Sequence, residues 1–562
     1  MAAPSGASAD RLDSWKEIAA YLGREVRTVQ GWEKSEGLPV HRHQHGRIGS
    51  VYAFKSELDQ WRGARRPPTA EPPSRRPWLF AAAGIAAVAI AGSSLLLWTR
   101  PPAPPVGGIP SSIVVLPFLD LSPQKDQEYF SDGLTEEIID ALTRVPNLRV
   151  VARTSAFAFK GKAVDVRRIG EQLNVAAVLE GSVRKAGDQL RITAQLARVS
   201  DGYHLWSHTY DRRLSDIFGV QREISQSIAA QLRAGEPPRP AGPPTRDVEA
   251  WRLYQEGRYF FNRFEPPESD WKAIDRYRQA IARDPGFAQA WAGMADAYAY
   301  LAENFTAAPH DVMPKAREAA EKALALNDSS AEAHTSLGVV KLDYDRDREG
   351  GQREFLRAMQ LNPGFGWARH WYAHSLEAQG RLPEAMVEMR KAADLDPLSV
   401  PIQWDITSEL LCAGRYADAL HQLDQAQELF PAVSVFPFMR VFAEERTGDR
   451  AAALRTIAAW RQAHPESAGD PLVQTLYAVG SILEGRPEAA RRTLASFEQL
   501  RPRQYVDGFL PLFLCAGLHD RGLELLWLRR AAEERSSMVV YLRMMEPLFG
   551  FDDALLHEAG AI

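Results

Sequence analysis

Three groups of residues carry side chains that could do chemistry at close spacing. His41, His43 and His45 alternate along HRHQH, so an extended backbone would put three imidazoles on one face. Imidazoles that close could hold a metal ion, or change charge near pH ~6.5. Asp132, Glu136 and Glu137 bring carboxylates within about one helical turn, the raw material of a general acid–base pair. His204 and His208 have the same parity in GYHLWSHTY and would share a strand face. None of these groups supplies a nucleophile, a base and an orienting partner together, and no glycine-rich phosphate cradle accompanies them. Helix caps and solvated strand faces account for the carboxylates and for His204 and His208. Alternation along an exposed hairpin accounts for the three histidines. The expectation is a non-enzyme with no catalytic residue, metal or cofactor. Cys412 and Cys515 are the two cysteines and sit far apart, which excludes a disulfide scaffold or a zinc cluster.

The elements that must carry these residues are separated by composition. The chain has 562 residues, a formal net charge of −5 and 45% apolar residues, enough for several cores and too little positive charge to mark the whole chain as nucleic-acid binding. Pro and Gly concentrate at 66–77, 101–110 and 235–244, which read as semi-rigid linkers. Between the first two lies Trp78–Trp98, WLFAAAGIAAVAIAGSSLLLW, uncharged and bounded by indoles. At ~1.5 Å per residue it would span roughly 30 Å, which predicts one transmembrane helix. Arg62, Arg65, Arg66, Arg75 and Arg76 precede it and Arg100 alone closely follows, so residues 1–77 are expected inside and 99–562 outside. A bacterial inner-membrane location follows, single-pass, with a cytoplasmic N-terminus and a periplasmic C-terminus. Ala83, Ala87 and Ala91 would offer a small-residue face for pairing in a homodimer. The fold class expected is multidomain: a small winged helix-turn-helix at 12–62, a basic linker at 63–77, the span at 78–98, a linker at 99–107, an α/β mixed-sheet domain at 108–233, a linker at 234–246 and an all-α tetratricopeptide solenoid at 247–555.

Within 12–62, Ser14 and Glu17 form a capping box for a helix with Ile18, Ala19 and Leu22 inward, and Gly23 makes a tight turn. A second helix from about Glu25 to Lys34 would bury Val26, Val29 and Trp32, and HRHQHGRIGSVYAF suits a two-stranded wing. A short SELDQWR helix would pack Leu58 and Trp61 on the core. The pattern Ile18-Ala19, Gly23, Arg27-Thr28-Val29-Gln30-Gly31-Trp32-Glu33 and Gly37-Leu38-Pro39 resembles the winged helix-turn-helix of the MerR and phage excisionase families. The resemblance implies a DNA partner, with Arg27, Thr28, Gln30 and Lys34 reaching bases or phosphates from the helix and Arg42 and Arg47 from the wing. Residues 1–66 hold eleven Lys/Arg against eight Asp/Glu, a surplus of three, which suits a weak monomer that pairs on DNA.

Residues 108–233 predict the order β-α-β-α-β-β-β-α. SSIVVLPF is a buried strand, Asp132 caps a helix carrying Leu134, Ile138 and Leu142, and Leu190, Ile192, Ala194 and Leu196 alternate with polar residues along a return strand. Val115-Leu116-Pro117-Phe118, Phe130-Ser131-Asp132-Gly133-Leu134-Thr135, Val178-Leu179-Glu180-Gly181-Ser182-Val183-Arg184 and Leu205-Trp206 resemble the TolB-N-terminal-like domain also seen in the flagellar protein FlgO. The resemblance implies a binding or scaffold role on the envelope side, with no activity attached.

From residue 247 the chain repeats itself. Pro363, Pro397, Pro431 and Pro465 each end a helix 34 residues after the last, and Gly380, Gly414 and Gly448 mark the turns between, again at 34. A helix–turn–helix period of 34 resembles the tetratricopeptide repeat and implies a superhelix whose concave face holds a peptide or protein. Trp291, Tyr298, Trp367, Trp371 and Tyr372 are candidates for that groove, although aromatics at such positions also pack between repeats. The order of parts is similar in layout to the ToxR and CadC type of regulator. The reading is a membrane-tethered one-component transcriptional regulator with a periplasmic sensing region. The alternative is a non-enzymatic envelope scaffold that uses its repeats for protein–protein interaction.

Overall fold

The computed structural model describes residues 10–42, 51–63, 111–125, 127–232, 244–262, 268–431, 433–501 and 505–561. Two compact units divide the chain near residue 103.

The first unit holds strands β1 (Arg11–Leu12), β2 (His41–Arg42) and β3 (Val51–Phe54), in the order β1-β3-β2 and all antiparallel, with helices α1 (Trp15–Leu22), α2 (Val26–Glu36) and α3 (Lys55–Gly63). Ser14 Oγ accepts from the Glu17 N–H at 3.2 Å and Glu17 reaches back to the Asp13 N–H at 2.9 Å, so α1 starts where its sequence says. Gly23, at φ 64°, ends it. Ile18, Leu22, Val29, Leu38, Ala53 and Leu58 form the core. Val26 is not part of it: at the first position of α2 it faces solvent at 36% exposure.

In the second unit, β4 (Ser112–Val115), β5 (Leu119–Asp120), β6 (Arg149–Val150), β7 (Ala177–Ala186), β8 (Gln189–Arg198) and β9 (His204–Arg213) make one mixed sheet. Its order is β6-β4-β7-β8-β9, with β5 also against β7; the β4, β5, β6 and β7 pairings are parallel and β7-β8-β9 is an antiparallel meander. Helices α4 (Glu128–Thr143), α5 (Arg153–Phe157), α6 (Val166–Gln172) and α7 (Ile217–Gln231) accompany it. β5 and α5 are additions to the expected order. Asp132 does not cap α4, which begins four residues earlier; Phe130, packed edge-on to Trp251 with centroids 5.4 Å apart, draws the first turn into the core.

The rest is helical. In order come α8 (Val248–Phe261), α9 (Glu268–Arg283), α10 (Ala288–Glu303), α11 (Pro309–Leu326), α12 (Ala331–Val339) and α13 (Arg348–Leu361). Then follow α14 (Gly366–Glu377), α15 (Leu382–Leu395), α16 (Val400–Cys412), α17 (Tyr416–Leu429), α18 (Val435–Arg446) and α19 (Arg450–Ala463). The last are α20 (Pro471–Leu483), α21 (Pro487–Leu500), α22 (Leu512–Leu518), α23 (Arg521–Glu533), α24 (Glu546–Phe549) and α25 (Asp553–Ala559). Successive helices pair as hairpins into a tetratricopeptide-like solenoid. The turns between paired helices use left-handed glycines, Gly380 at φ 76°, Gly414 at 69°, Gly448 at 84° and Gly485 at 77°. Buried alanines such as Ala385, Ala392, Ala419 and Ala426 let neighbouring helices approach closely. A π-helical stretch, Val340–Tyr344, continues α12.

Sheet and solenoid share a core that runs from Ile113 to Trp371. Between α4 and α8, Glu136 accepts from Arg258 Nε at 2.9 Å and Asn262 Nδ2 at 3.2 Å. Further along, Asp396 accepts from the Ser155 N–H at 3.1 Å.

The expected transmembrane helix requires correction. Among the described residues no helix is long and apolar enough to cross a membrane, and Trp78–Trp98 lies outside them. The architecture is a mostly helical chain with repeats and a mixed sheet. The single-pass inner-membrane location, which rested on that helix, is withdrawn with it.

Candidate functional site

The first helices of successive pairs face inward, and the end of the chain closes the space they enclose. Tyr541, in the 3-10 turn Ser537–Tyr541, donates to Asp343 Oδ1 at 3.0 Å. Arg346 donates to the Ala532 carbonyl at 3.0 Å, and a His310 nitrogen lies 2.9 Å from the Glu533 carbonyl. The space is a cavity of about 1080 Å³. Its walls are largely apolar, with Trp271, Trp404, Phe438, Phe513 and Met545 among them. Seven carboxylate residues line it, and no Lys or Arg is among the lining residues described.

At its floor sits a group of polar side chains whose members come from neighbouring repeats. His370 and His374 lie one turn apart on one face of α14. Asp405 comes from α16, the first helix of the next pair. His370 Nε2 and Asp405 Oδ2 share a hydrogen bond of 2.6 Å; His374 Nε2 lies 3.2 Å from His370 Nε2 and 3.3 Å from Asp405 Oδ2. His374 Nδ1 is bonded to Glu377 Oε2 at 2.6 Å. Trp367 stacks on His370 with centroids 4.7 Å apart, and Trp371 and Tyr541 flank His374 at 5.1 and 5.4 Å.

Burial drives the Asp405 carboxyl up, but the facing His374 charge and the bonds from both histidines outweigh it and hold it at about 2. For His374 burial opposes the charged form, and Glu377 and Asp405 more than offset that, so its pKa stands well above the ordinary value. Burial dominates at His370 and lowers it. Around them burial raises Asp343 to about 7 and pushes Glu303 and Glu409 well up. Asp343 Oδ2 is buried and accepts no hydrogen bond, and the Glu409 and Glu377 carboxyls face one another, which adds to the rise at Glu409. Among the described residues His370, His374 and Asp405 are one group with metal-ligand atoms mutually within 4.8 Å.

The residues singled out in the sequence fall in several places. Trp367 and Trp371 line the cavity. Tyr298 packs on Trp271, Trp291 donates its indole N–H to the Pro285 carbonyl at 3.1 Å, and Tyr372 lies against the core. Asp132 and Glu136 are buried in ion pairs, with Lys160 at 2.6 Å and with Arg153 and Arg258, and Glu137 reaches Gln255 at 3.5 Å. His204 and His208 are exposed on β9. His41 bonds Glu57 at 2.7 Å; His43, His45 and Arg47 lie outside the described residues. On α2 Arg27, Thr28 and Lys34 are exposed and Gln30 is half-buried, while Arg42 pairs with Glu33 at 2.7 Å. Sequence reasoning missed the His370–His374–Asp405 group. Its signal was two histidines four apart in a repeat helix with a carboxylate one repeat on.

No family model matches the chain. Over 234 residues it is 38% identical to Putative adenylate cyclase 3 of Rhizobium meliloti, covering 41% of this chain and 40% of that protein. Over 290 residues it is 21% identical to Transcriptional regulator HilA of Salmonella typhimurium, covering 51% of each. The chain thus spans between 40% and 51% of the length of these curated relatives. Among solved structures it is similar to PilW, titled a widely conserved type IV pilus biogenesis factor, at 18% identity and a TM-score of 0.32 over 38% of this chain and 94% of that one. PilF of Pseudomonas aeruginosa gives 18% and 0.31, over 39% and 94%.

Proposed function

We propose that the protein is an interaction scaffold whose repeat array holds an apolar segment of a partner protein. The observation that carries this is the cavity: about 1080 Å³, walled by aromatic and aliphatic side chains, set on the inner face of stacked helix pairs. Such inner faces bind extended or helical segments because they offer a long concave surface with rigid walls. The test is a peptide library displayed on phage and panned against the full chain. Enriched peptides should carry aromatic or aliphatic residues, and their binding should fall at least tenfold in the double variant Trp404→Ala/Phe513→Ala. Val387→Ala, exposed on α15, should leave it unchanged. Peptides indifferent to the wall substitutions, or no enrichment at all, would reject the cavity as the interaction site.

A second reading concerns residues 10–63, as a DNA-docking module. It is favoured by the exposed face of α2, which carries Arg27, Thr28 and Lys34. Arg27→Ala/Lys34→Ala in the full chain should weaken binding to duplex DNA and reduce the salt slope by about two. Absence of DNA binding by the parent chain at low salt eliminates it.

A further inference from the structure

We propose that His370, His374 and Asp405 bind a divalent transition-metal ion of the zinc class, through the two Nε2 atoms and one Asp405 carboxylate oxygen. Three observations converge on it.

The first is geometry. Ligands at ~2.0–2.1 Å from a tetrahedral ion lie roughly 3.3 Å apart. His374 Nε2 already stands 3.2 Å from His370 Nε2 and 3.3 Å from Asp405 Oδ2. The third edge, His370 to Asp405, is a 2.6 Å hydrogen bond that opens by well under an ångström when the proton between the two groups leaves. Two imidazoles with one carboxylate suit zinc and its borderline neighbours rather than calcium or magnesium, which take oxygen ligands.

The second is the support behind the ligands. Glu377 holds His374 Nδ1 at 2.6 Å, which turns Nε2 toward the group and raises its basicity, the carboxylate–histidine–metal arrangement. His370 Nδ1 is buried without a protein acceptor, so His374 is the more firmly aimed of the two. Trp367, Trp371 and Tyr541 pack around both rings and restrict their rotation.

The third is charge. Seven carboxylate residues and no Lys or Arg line the cavity as described. Asp343, 1% exposed, keeps a buried oxygen there with no hydrogen-bond partner. No Lys or Arg side chain among the described lining residues competes for the position between the three ligands. The three ligands themselves line the cavity, and a fourth position is left for water or for a donor atom from whatever occupies the cavity. The site does not depend on the scaffold reading: it stands whether or not a protein segment enters.

The test uses the full chain, stripped with a chelator, then titrated with Zn²⁺ by calorimetry and with Co²⁺ followed by visible absorption. The expected result is one ion per chain at this site and the intense ligand-field bands of low-coordinate cobalt. His370→Ala/His374→Ala should abolish both, and Glu377→Gln should weaken binding ten- to a hundredfold. His41→Ala/His43→Ala/His45→Ala should leave the cobalt spectrum unchanged, as should His334→Ala, whose imidazole is bonded to Glu354 elsewhere in the array. Absence of the cobalt bands in the parent chain overturns the proposal without appeal to any variant. So does a parent-like zinc stoichiometry and spectrum in the His370→Ala/His374→Ala chain.

Discussion

Asp343 shows how burial can outweigh a facing charge and a hydrogen bond. It sits in the π-helical stretch, 1% exposed, with Tyr541 as its donor. Burial raises its carboxyl to about 7, against the opposing pull of the His374 charge and the Tyr541 bond. Between its unfolded value of ~3.9 and about 7 the folded chain keeps a proton that the unfolded chain releases. Its contribution to stability therefore falls as pH rises through that window, and the full penalty is present above it. Asp343→Asn should raise the melting temperature above the parent's at about pH 8 and leave it unchanged at about pH 4, measured by calorimetry. The gain is on the order of a few kcal/mol at most. Glu136 is the opposite case, a buried carboxylate fully engaged by Arg153, Arg258 and Asn262. Glu136→Gln strands two guanidiniums where α4 meets α5 and α8 and should cost about 3–5 kcal/mol in denaturant unfolding. Neither role could be read from residue type: Tyr541 lies 198 residues from Asp343, and Arg258, one of the two guanidiniums on Glu136, lies 122 residues away.

At the scale of the element, local chemistry is strong enough to be legible. The 34-residue spacing of Pro363, Pro397, Pro431 and Pro465 marks helix ends because Pro cannot continue the hydrogen-bond ladder. Gly380, Gly414 and Gly448 recur where φ is positive, and nothing lies within 4 Å of the position a Cβ would take at any of the three. A substitution there is penalised by backbone conformation alone. Gly448→Ala should therefore cost about 1–2 kcal/mol in chemical denaturation, with the helix content by circular dichroism unchanged. Where local signals misled, a neighbour outweighed them. α4 starts before Asp132 because Phe130 has Trp251 to pack on, and Val26 is exposed because the core beside α2 is already filled by Val29 and Leu38.

The whole molecule behaves as two units. Within the second unit the sheet and the first repeats share a core that runs to Trp371, so those parts should unfold in a single calorimetric transition, with the first unit separate. Glu136→Gln should then lower one transition and leave the other in place; independent melting of the sheet and the first repeats would refute the shared core. Cutting the chain after Arg535 removes Tyr541, Met545 and the rest of the closing segment, and should expose the cavity wall. Increased binding of a hydrophobic dye by the shortened chain is the expected outcome. The sequence by itself determined the long strands of the β7-β8-β9 meander, the paired helices, their period and their turns, because φ preference and hydrophobic period act over a few residues, whereas the two-residue strands β1 and β5 depend on the β3 and β7 they pair with. Only the tertiary structure decided that the end of the chain folds back over the array, and that His370, His374 and Asp405 meet beneath it. Those contacts depend on the superhelical rotation accumulated over many repeats, a sum of small packing angles that no short stretch of sequence records.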